Sequence, residues 1–204
     1  MKHYVIFFAV VLIFFTSKDV CGQSWGLGLR LGDPSGLTIK RYYAGKALEL
    51  NIGRTRFVYK SGWYDKQFYK WYDGKGFKYK DISYNSYRAA APIAVQVHYL
   101  IQKRLEKSKK AGQPGLDWYY GFGGQLRVRT YYYDYQYRVE GGNWIYVTEE
   151  RVPNADIGVD AVIGLEYKFK GPISLFLDGT LFMEVLDDPF LFWSQAGIGA
   201  RFRF

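Results

Sequence analysis

Histidine is the side chain best suited to acid–base chemistry near neutral pH, and the chain contains two, His3 and His98. His98 lies in the segment AVQVHYLIQ, where strand-like alternation places it on the same face as Gln96. No His-x-Ser pairing accompanies it. We therefore interpret His98 as an interior histidine with a hydrogen-bonding partner, and its use in catalysis remains the alternative.

Metal and cofactor chemistry has little support in the sequence. The chain shows neither a cluster of metal ligands nor a glycine loop that would cradle a phosphate. The glycines of GFGG at 121–124 are better explained by a bent strand or a crowded interior. The sequence thus predicts no metal, no cofactor and no catalytic residue.

Charged residues of both signs recur at alternate positions in the second half of the chain. We predict that they face one narrow interior and form a buried network of opposite charges, with a proton or ion path as the alternative. The predicted network consists of Arg127, Arg129, Arg201 and Arg203 with Asp160, Glu166, Asp178 and Glu184.

A segment near 59–86 combines aromatic residues with lysines. Tyrosine and tryptophan are favoured at protein interfaces, and disordered segments are poor in them. We predict that this segment and the outer loop near 136–154, which is also rich in aromatic residues, fold as strand extensions. They are expected to bind a partner protein, or equally a glycan or lipopolysaccharide phosphates. Packing of the aromatic residues against each other and the outer leaflet is the alternative. The predicted binding residues are Trp63, Tyr64, Lys66, Phe68, Tyr69, Lys70, Trp71 and Tyr72.

These residues need a scaffold, and period-two alternation supplies one. In ADIGVDAVIGLEYKF, Ile157, Val159, Ile163 and Leu165 share one face, and the polar residues share the other. Eight such segments are predicted as strands, near 25–32, 36–43, 47–58, 87–102, 116–135, 155–169, 172–185 and 191–204.

The residue types on the polar face decide between fold classes. A soluble sandwich or lipocalin-like barrel would show the same period, but its wet face would be crowded with Lys and Glu. Here that face is rich in glycine, arginine, carboxylates and amides, including Arg30, Lys40 and Glu49, which suits a narrow interior. The sequence predicts an all-β fold, an eight-stranded antiparallel transmembrane up-and-down β-barrel with a filled polar lumen. Long outer loops are expected near 59–86 and 136–154, with both termini on the periplasmic side.

The first 22 residues are predicted to be a cleaved signal peptide, leaving 23–204 as one barrel domain. A lysine is followed by an apolar run from Tyr4 to Phe15, too short for a spanning helix of about 20 residues. A membrane anchor and a lipoprotein retaining Cys21 are the alternatives. The formal charge of +9 fits membrane lipid phosphates better than nucleic acid in an exported chain.

Three stretches resemble a known family. The alternating Ile198, Ala200, Phe202 and Phe204, together with GLGLRLGDPSGLTIKRYY and ALELNIG, resemble eight-stranded outer-membrane β-barrels of the OmpA/OmpX type, particularly those of Bacteroidetes. The resemblance implies a bacterial outer-membrane location and recognition of Phe202 and Phe204 by the barrel-insertion machinery. It implies no activity, because this group hosts many functions.

The sequence therefore predicts a non-enzymatic outer-membrane barrel with a structural, accessory or surface-binding role. Its expected partners are outer-membrane lipids or lipopolysaccharide, the insertion machinery and an outer-membrane protein complex. A lipid A-modifying enzyme using His98 and a narrow ion-conducting pore are the alternatives.

Overall fold

A computed structural model describes residues 24–56, 63–75, 81–105, 114–138, 142–186 and 190–204. The predicted signal peptide lies outside the described residues. The described chain forms one antiparallel sheet and one helix, α1 (Trp63–Gly74). The strands are β1 (Trp25–Gly32), β2 (Ser35–Tyr43), β3 (Lys46–Arg54), β4 (Asp81–Ala89), β5 (Ile93–Arg104), β6 (Gly115–Arg138), β7 (Trp144–Lys168), β8 (Ile173–Glu184) and β9 (Phe192–Arg203).

Eight of the nine strands form a closed ring. Each pairs with its neighbours along the chain, except that β3 pairs with β5 because α1 and β4 are inserted between them. The pairing of β1 with β9 closes the ring, so each of the eight described strands is paired on both sides within it. The predicted all-β, antiparallel, up-and-down arrangement is confirmed.

The register determines how wide the ring is. When the residue pairs are followed from strand to strand around the ring, a path that starts at Gly158 of β7 returns to β7 at Lys168. The register offset on closing the ring is therefore ten residues. Eight strands with that offset tilt by about 40° and give a radius of about 8 Å. Side chains from opposite walls can therefore meet in the middle.

The two faces of the ring have opposite character. Outward positions carry large apolar side chains that stay exposed, such as Leu29, Phe122 and Ile163, each more than 60% accessible. Inward positions carry buried charged and amide side chains, such as Arg30 and Gln96. This confirms the predicted alternation and reverses the arrangement of an ordinary core, in which apolar residues are inside.

Several predicted boundaries were wrong. The segment predicted as one strand over 87–102 is two strands, separated by Ala90–Pro92, where Pro92 has no backbone N–H to donate. The outer loop near 136–154 is largely strand, with β6 running to Arg138 and β7 beginning at Trp144, as the predicted strand extension required. Residues 57–58 of the predicted third strand lie outside the described part of the chain.

Above the ring, β6 and β7 continue as a pair, and β4 pairs with the other edge of β6. These three strands form a projecting sheet. The helix α1 packs on the inward face of this sheet. Its Tyr64, Phe68 and Tyr72, spaced by four residues, share a face with Tyr131 and Tyr133 in one buried aromatic cluster. Leu191 and Trp193, at the start of β9, pack against the same cluster. The projecting sheet and α1 therefore cover one end of the ring, which we call the loop end.

For the segment near 59–86 the sequence predicted strand extensions. The structure instead has α1 in the first part of this segment, and β4 in the second part is a strand extension as predicted. The apolar period of four in WYDKQFYKWYDG was a helical signal that the aromatic composition obscured. Within the described residues, no helix has the length and apolar character to cross a bilayer.

Truncating Phe68 to alanine is expected to loosen the projecting sheet while the ring stays intact. Phe68 is fully buried and contacts the rings of Tyr84, Tyr133 and Tyr135, so its loss should cost about 3–5 kcal/mol locally. Hydrogen exchange should accelerate in β4 and upper β6. The half-exposed neighbour Tyr69, changed to alanine, is the control. Equal acceleration in β1–β3 would contradict separate stability of the two parts.

Candidate functional site

Glu166 is the centre of the charged interior. Its carboxylate pairs with the Lys40 ammonium at 2.9 Å and accepts hydrogen bonds from Ser174 (2.8 Å), Gln102 (3.1 Å) and Tyr42 (2.5 Å). These donors come from β2, β5 and β8, whereas Glu166 is on β7. One carboxylate thus connects opposite walls of the ring.

Two further ion pairs tie the remaining walls together. Arg201 of β9 pairs with Glu49 of β3 at 2.7 Å and donates to the Thr38 hydroxyl. Arg30 of β1 pairs with Asp178 of β8 at 2.5 Å. All four charged groups are buried. A buried charge is tolerated only when it is paired, so the interior is a mutually dependent set of charges.

Inward-facing glycines make room for these long side chains. Arg30 reaches Asp178 by passing over Gly197 of β9, where an added Cβ would lie 2.2 Å from the guanidinium carbon. His98 crosses Gly123 of β6 in the same way, with an added Cβ 2.6 Å from its ring. Gly197 and Gly123 are therefore positions where a neighbouring side chain crosses the strand.

His98 lies deep inside the ring. Its Nε2 is 3.0 Å from Asp160 Oδ2, and both side chains are buried. The wall of the ring separates this pair from the apolar exterior, where a lipid substrate would lie. His98 thus has the hydrogen-bonding partner that the sequence predicted.

The predicted charge network is distributed over several places. Four of its members, Asp160, Glu166, Asp178 and Arg201, pair inside the ring with residues outside the predicted set. Arg201 and Glu166 also pair with each other, at 3.9 Å, as predicted. Arg127 lies over the Phe182 ring at 3.8 Å, and Arg129 donates to the Tyr131 hydroxyl at 3.1 Å. Arg203 lies at the end of the ring opposite the loop end, which we call the terminal end, and it donates to the Gly171 carbonyl at 2.8 Å. Glu184 is buried on the inward face.

Sequence reasoning placed Arg30, Lys40 and Glu49 on the polar face but did not identify them as partners. Alternation reveals which face a residue occupies, but partners two or more strands apart depend on the register. The inward-facing glycines that Arg30 and His98 cross were the sequence signal that could have indicated such partners.

The predicted binding residues divide between core and surface. The side chains of Tyr64, Phe68 and Tyr72 are buried against the projecting sheet. Lys66, Tyr69 and Lys70 are exposed on the other side of α1, and Trp71 is half-buried. Trp63 begins the helix. Only part of the predicted surface can therefore be reached from solution.

The aromatic cluster changes the acidity of its hydroxyls. Burial raises the pKa of Tyr84 to about 12, helped by the Asp65 carboxylate that accepts its hydrogen bond. Burial also raises the pKa of Tyr135 to about 12, with the nearby Glu150 charge adding to the effect. The pKa of Asp134 is lowered by hydrogen bonds from the Glu149 backbone N–H and the Ser86 hydroxyl.

No protein-family model matches this chain, and no curated protein matches it.

The buried Glu166 and the exposed Glu149 form a matched test of the interior network. Glu166→Gln should destabilise the protein by about 3–5 kcal/mol, because it leaves the buried Lys40 with the more distant Glu49 at 3.9 Å, a carboxylate that Arg201 already engages at 2.7 Å. Glu149→Gln removes an ion pair with Arg88 whose side chains are 67–71% exposed, so about 0–1 kcal/mol is expected. Urea unfolding of both variants measures the difference, and equal shifts would contradict the network.

The raised tyrosine pKa values predict alkaline sensitivity of the loop end. A tyrosine with pKa near 10 when unfolded and about 12 when folded stabilises the fold fully below pH 10. That contribution is lost as pH rises from 10 through 12. In a pH titration, tyrosinate absorbance should show a step above pH 10 that is accompanied by unfolding of the projecting sheet. Tyr84→Phe should reduce that step, and a single titration near pH 10 would refute the prediction.

Proposed function

We propose that this protein is an outer-membrane β-barrel that anchors a binding surface at the cell exterior. The observation that carries the proposal is the reversed polarity of the ring, with apolar side chains outside and paired charges inside. Water would favour the opposite arrangement, whereas a bilayer favours this one. A closed ring also satisfies every strand edge, which hydrocarbon requires.

The height of the apolar surface supports a membrane-spanning role. On β7, exposed apolar residues extend from Ile157 to Tyr167. Ten residues tilted by about 40° rise by about 25 Å, the height of the apolar band of outer-membrane barrels. Aromatic residues such as Trp118, Tyr167 and Phe202 cluster towards the terminal end, as an interfacial girdle would.

The filled interior supports an anchor over a channel. Glu166, Lys40, Arg201 and Glu49 join opposite walls across the middle of the ring. The aromatic cluster and α1 cover its loop end. A solute would have to break several buried ion pairs to pass, so neither arrangement favours the pore alternative.

The lipid-modifying alternative also gains no support from the position of His98. Acyl-chain chemistry needs a base and a nucleophile within reach of the substrate. His98 instead contacts Asp160 inside the ring, with 1% of its side chain accessible.

The loop end supplies the surface for binding. The exposed side of α1 presents Lys66, Tyr69, Lys70 and Asp73, with Trp71 at its margin. The buried stripe of the same helix holds this side at a fixed position above the ring. In this proposal the barrel positions a rigid aromatic and basic surface for a partner, and Phe202 and Phe204 serve in insertion.

Fluorescence quenching in lipid vesicles tests the membrane part of the proposal. Trp118 faces outward within the apolar band, whereas Trp144 lies at the loop end. Brominated lipid should quench wild-type fluorescence, and the quenched fraction should fall in Trp118→Phe but not in Trp144→Phe. Equal access of a water-soluble quencher to both tryptophans would refute insertion.

Co-purification from native outer membranes is the second arm of this test. A partner retained by the wild-type protein should be lost from a Lys66→Ala/Tyr69→Ala variant. Tyr43→Ala, an exposed aromatic at the opposite end of the ring, is the matched control. Loss in the control as well, or retention in all three proteins, would count against the α1 surface.

A further inference from the structure

A groove of about 480 Å³ lies on the outer surface of the ring, where β6, β7 and β8 run side by side. Its size is in the range of about 300–1,000 Å³ typical of ligand sites. Its lining includes Trp118, Ile163, Leu165 and Leu177, with Gly164 and Gly179. The groove is therefore a depression in the apolar surface that the proposed function places in the bilayer.

A missing side chain creates this depression. Gly179 occupies an outward position of β8, next to the outward Leu177. A Cβ added at Gly179 would have one neighbour within 4 Å, the Gln195 carbonyl oxygen at 4.0 Å. Asp178 also lines the groove but offers it only backbone, because its carboxylate faces inward and pairs with Arg30. The side chains that face the groove are thus apolar or aromatic.

The groove leads to a lysine. The strand register places Leu177, Leu165, Trp118 and Lys103 in one row of directly paired residues across β8, β7, β6 and β5. Three strand spacings of about 4.8 Å make this row about 14 Å long. Lys103 is one residue from the terminal end of β5, whereas Leu177 is four residues from the terminal end of β8. The row therefore descends from the apolar surface to the terminal end.

Aromatic rings hold the lysine end of the row. The Lys103 ammonium lies 5.9 Å from the Trp118 ring centroid and 6.0 Å from that of Tyr120. These two rings stack on each other at 5.2 Å. The side chain of Lys103 is exposed, so its ammonium can reach a ligand at the surface without leaving the aromatic pair.

The outward face around Lys103 is basic. On the described parts of β5 to β8, the outward positions at the terminal end carry no Asp or Glu. Asp117 faces inward, where it pairs with Lys168 at 2.7 Å. Lys46, on the outward face of β3, lies opposite Ile101 of β5 and adds a second cation to the same margin. An anionic group is therefore favoured at this end of the row.

We propose that the row is a binding site for one molecule of anionic phospholipid. An acyl chain would fill the groove beside Ile163 and Leu177, and the phosphate would pair with Lys103. Trp118 lies between these two parts, where its indole can pack on the chain and donate from Nε1 to the polar part of the lipid. This inference rests on the proposed membrane insertion and names the lipid class that the barrel selects at its terminal end.

Quenching of Trp118 by brominated lipid in mixed vesicles tests the site. The protein is inserted into vesicles of phosphatidylglycerol and phosphatidylcholine in equal amounts, with bromine on the acyl chains of one lipid at a time. The Trp118 contribution is the difference between the wild-type protein and Trp118→Phe. Phosphatidylglycerol should be preferred about fivefold, the effect expected of one lysine near an anionic lipid.

A pair of charge variants tests the phosphate end. Lys103→Gln should abolish the preference for phosphatidylglycerol, because the charge-assisted contact is lost while the aromatic rings remain. Arg54→Gln, at an exposed cation on the loop end of β3, is the matched control and should retain the preference. The ratio of the two lipids is measured within each variant, so a change in tryptophan brightness cancels.

A pair of glycine variants tests the acyl-chain end. Gly179→Leu should fill the groove from outside the ring and lower the preference. Gly124→Leu adds the same side chain at an outward glycine of β6 away from the groove, where an added Cβ would be 3.4 Å from the Gly158 carbonyl oxygen. This control should leave the preference unchanged.

The outcomes separate the lipid site from membrane insertion. Equal quenching of Trp118 by the two brominated lipids would overturn the site, as would a preference that survives Lys103→Gln. A preference that survives Gly179→Leu, or that Gly124→Leu lowers equally, would overturn the role of the groove. Failure of both brominated lipids to quench Trp118 would instead contradict the proposed insertion.

Discussion

The width of the ring is the constraint on which the rest of the structure depends. At a radius of about 8 Å, inward side chains from opposite walls meet, and little room remains for water to solvate them. Every interior charge therefore needs a protein partner. Glu166 meets this requirement by accepting from Lys40, Tyr42, Gln102 and Ser174, and the crossing glycines let the longer side chains reach across a strand.

The same inward face changes character where the ring ends. Along β6, Gln125 and Arg127 are followed by Tyr131, Tyr133 and Tyr135 at the same parity. Within the ring this face is enclosed by opposite walls, but above it the sheet is open on one side. Aromatic side chains there need a cover, and α1 supplies it with its own aromatic stripe.

This division gives the two parts different properties. The ring is held by buried ion pairs and closed strand pairing, so it is suited to be a rigid stem. The loop end is held by aromatic packing and presents a charged and aromatic helix face and a pocket beside α1 to solution. In the proposed function the stem is the membrane anchor and the loop end does the binding.

The sequence by itself determined the strand-rich fold, the direction in which most residues face and the presence of His98 among polar interior groups. These follow from local alternation, since neighbouring side chains on a strand point to opposite faces. Only the tertiary structure decided that Arg30 pairs with Asp178, that Tyr64, Phe68 and Tyr72 are buried, and that Trp118 and Leu177 line one groove. Such contacts join residues far apart in the chain, and they depend on register and ring closure, which local patterns do not encode.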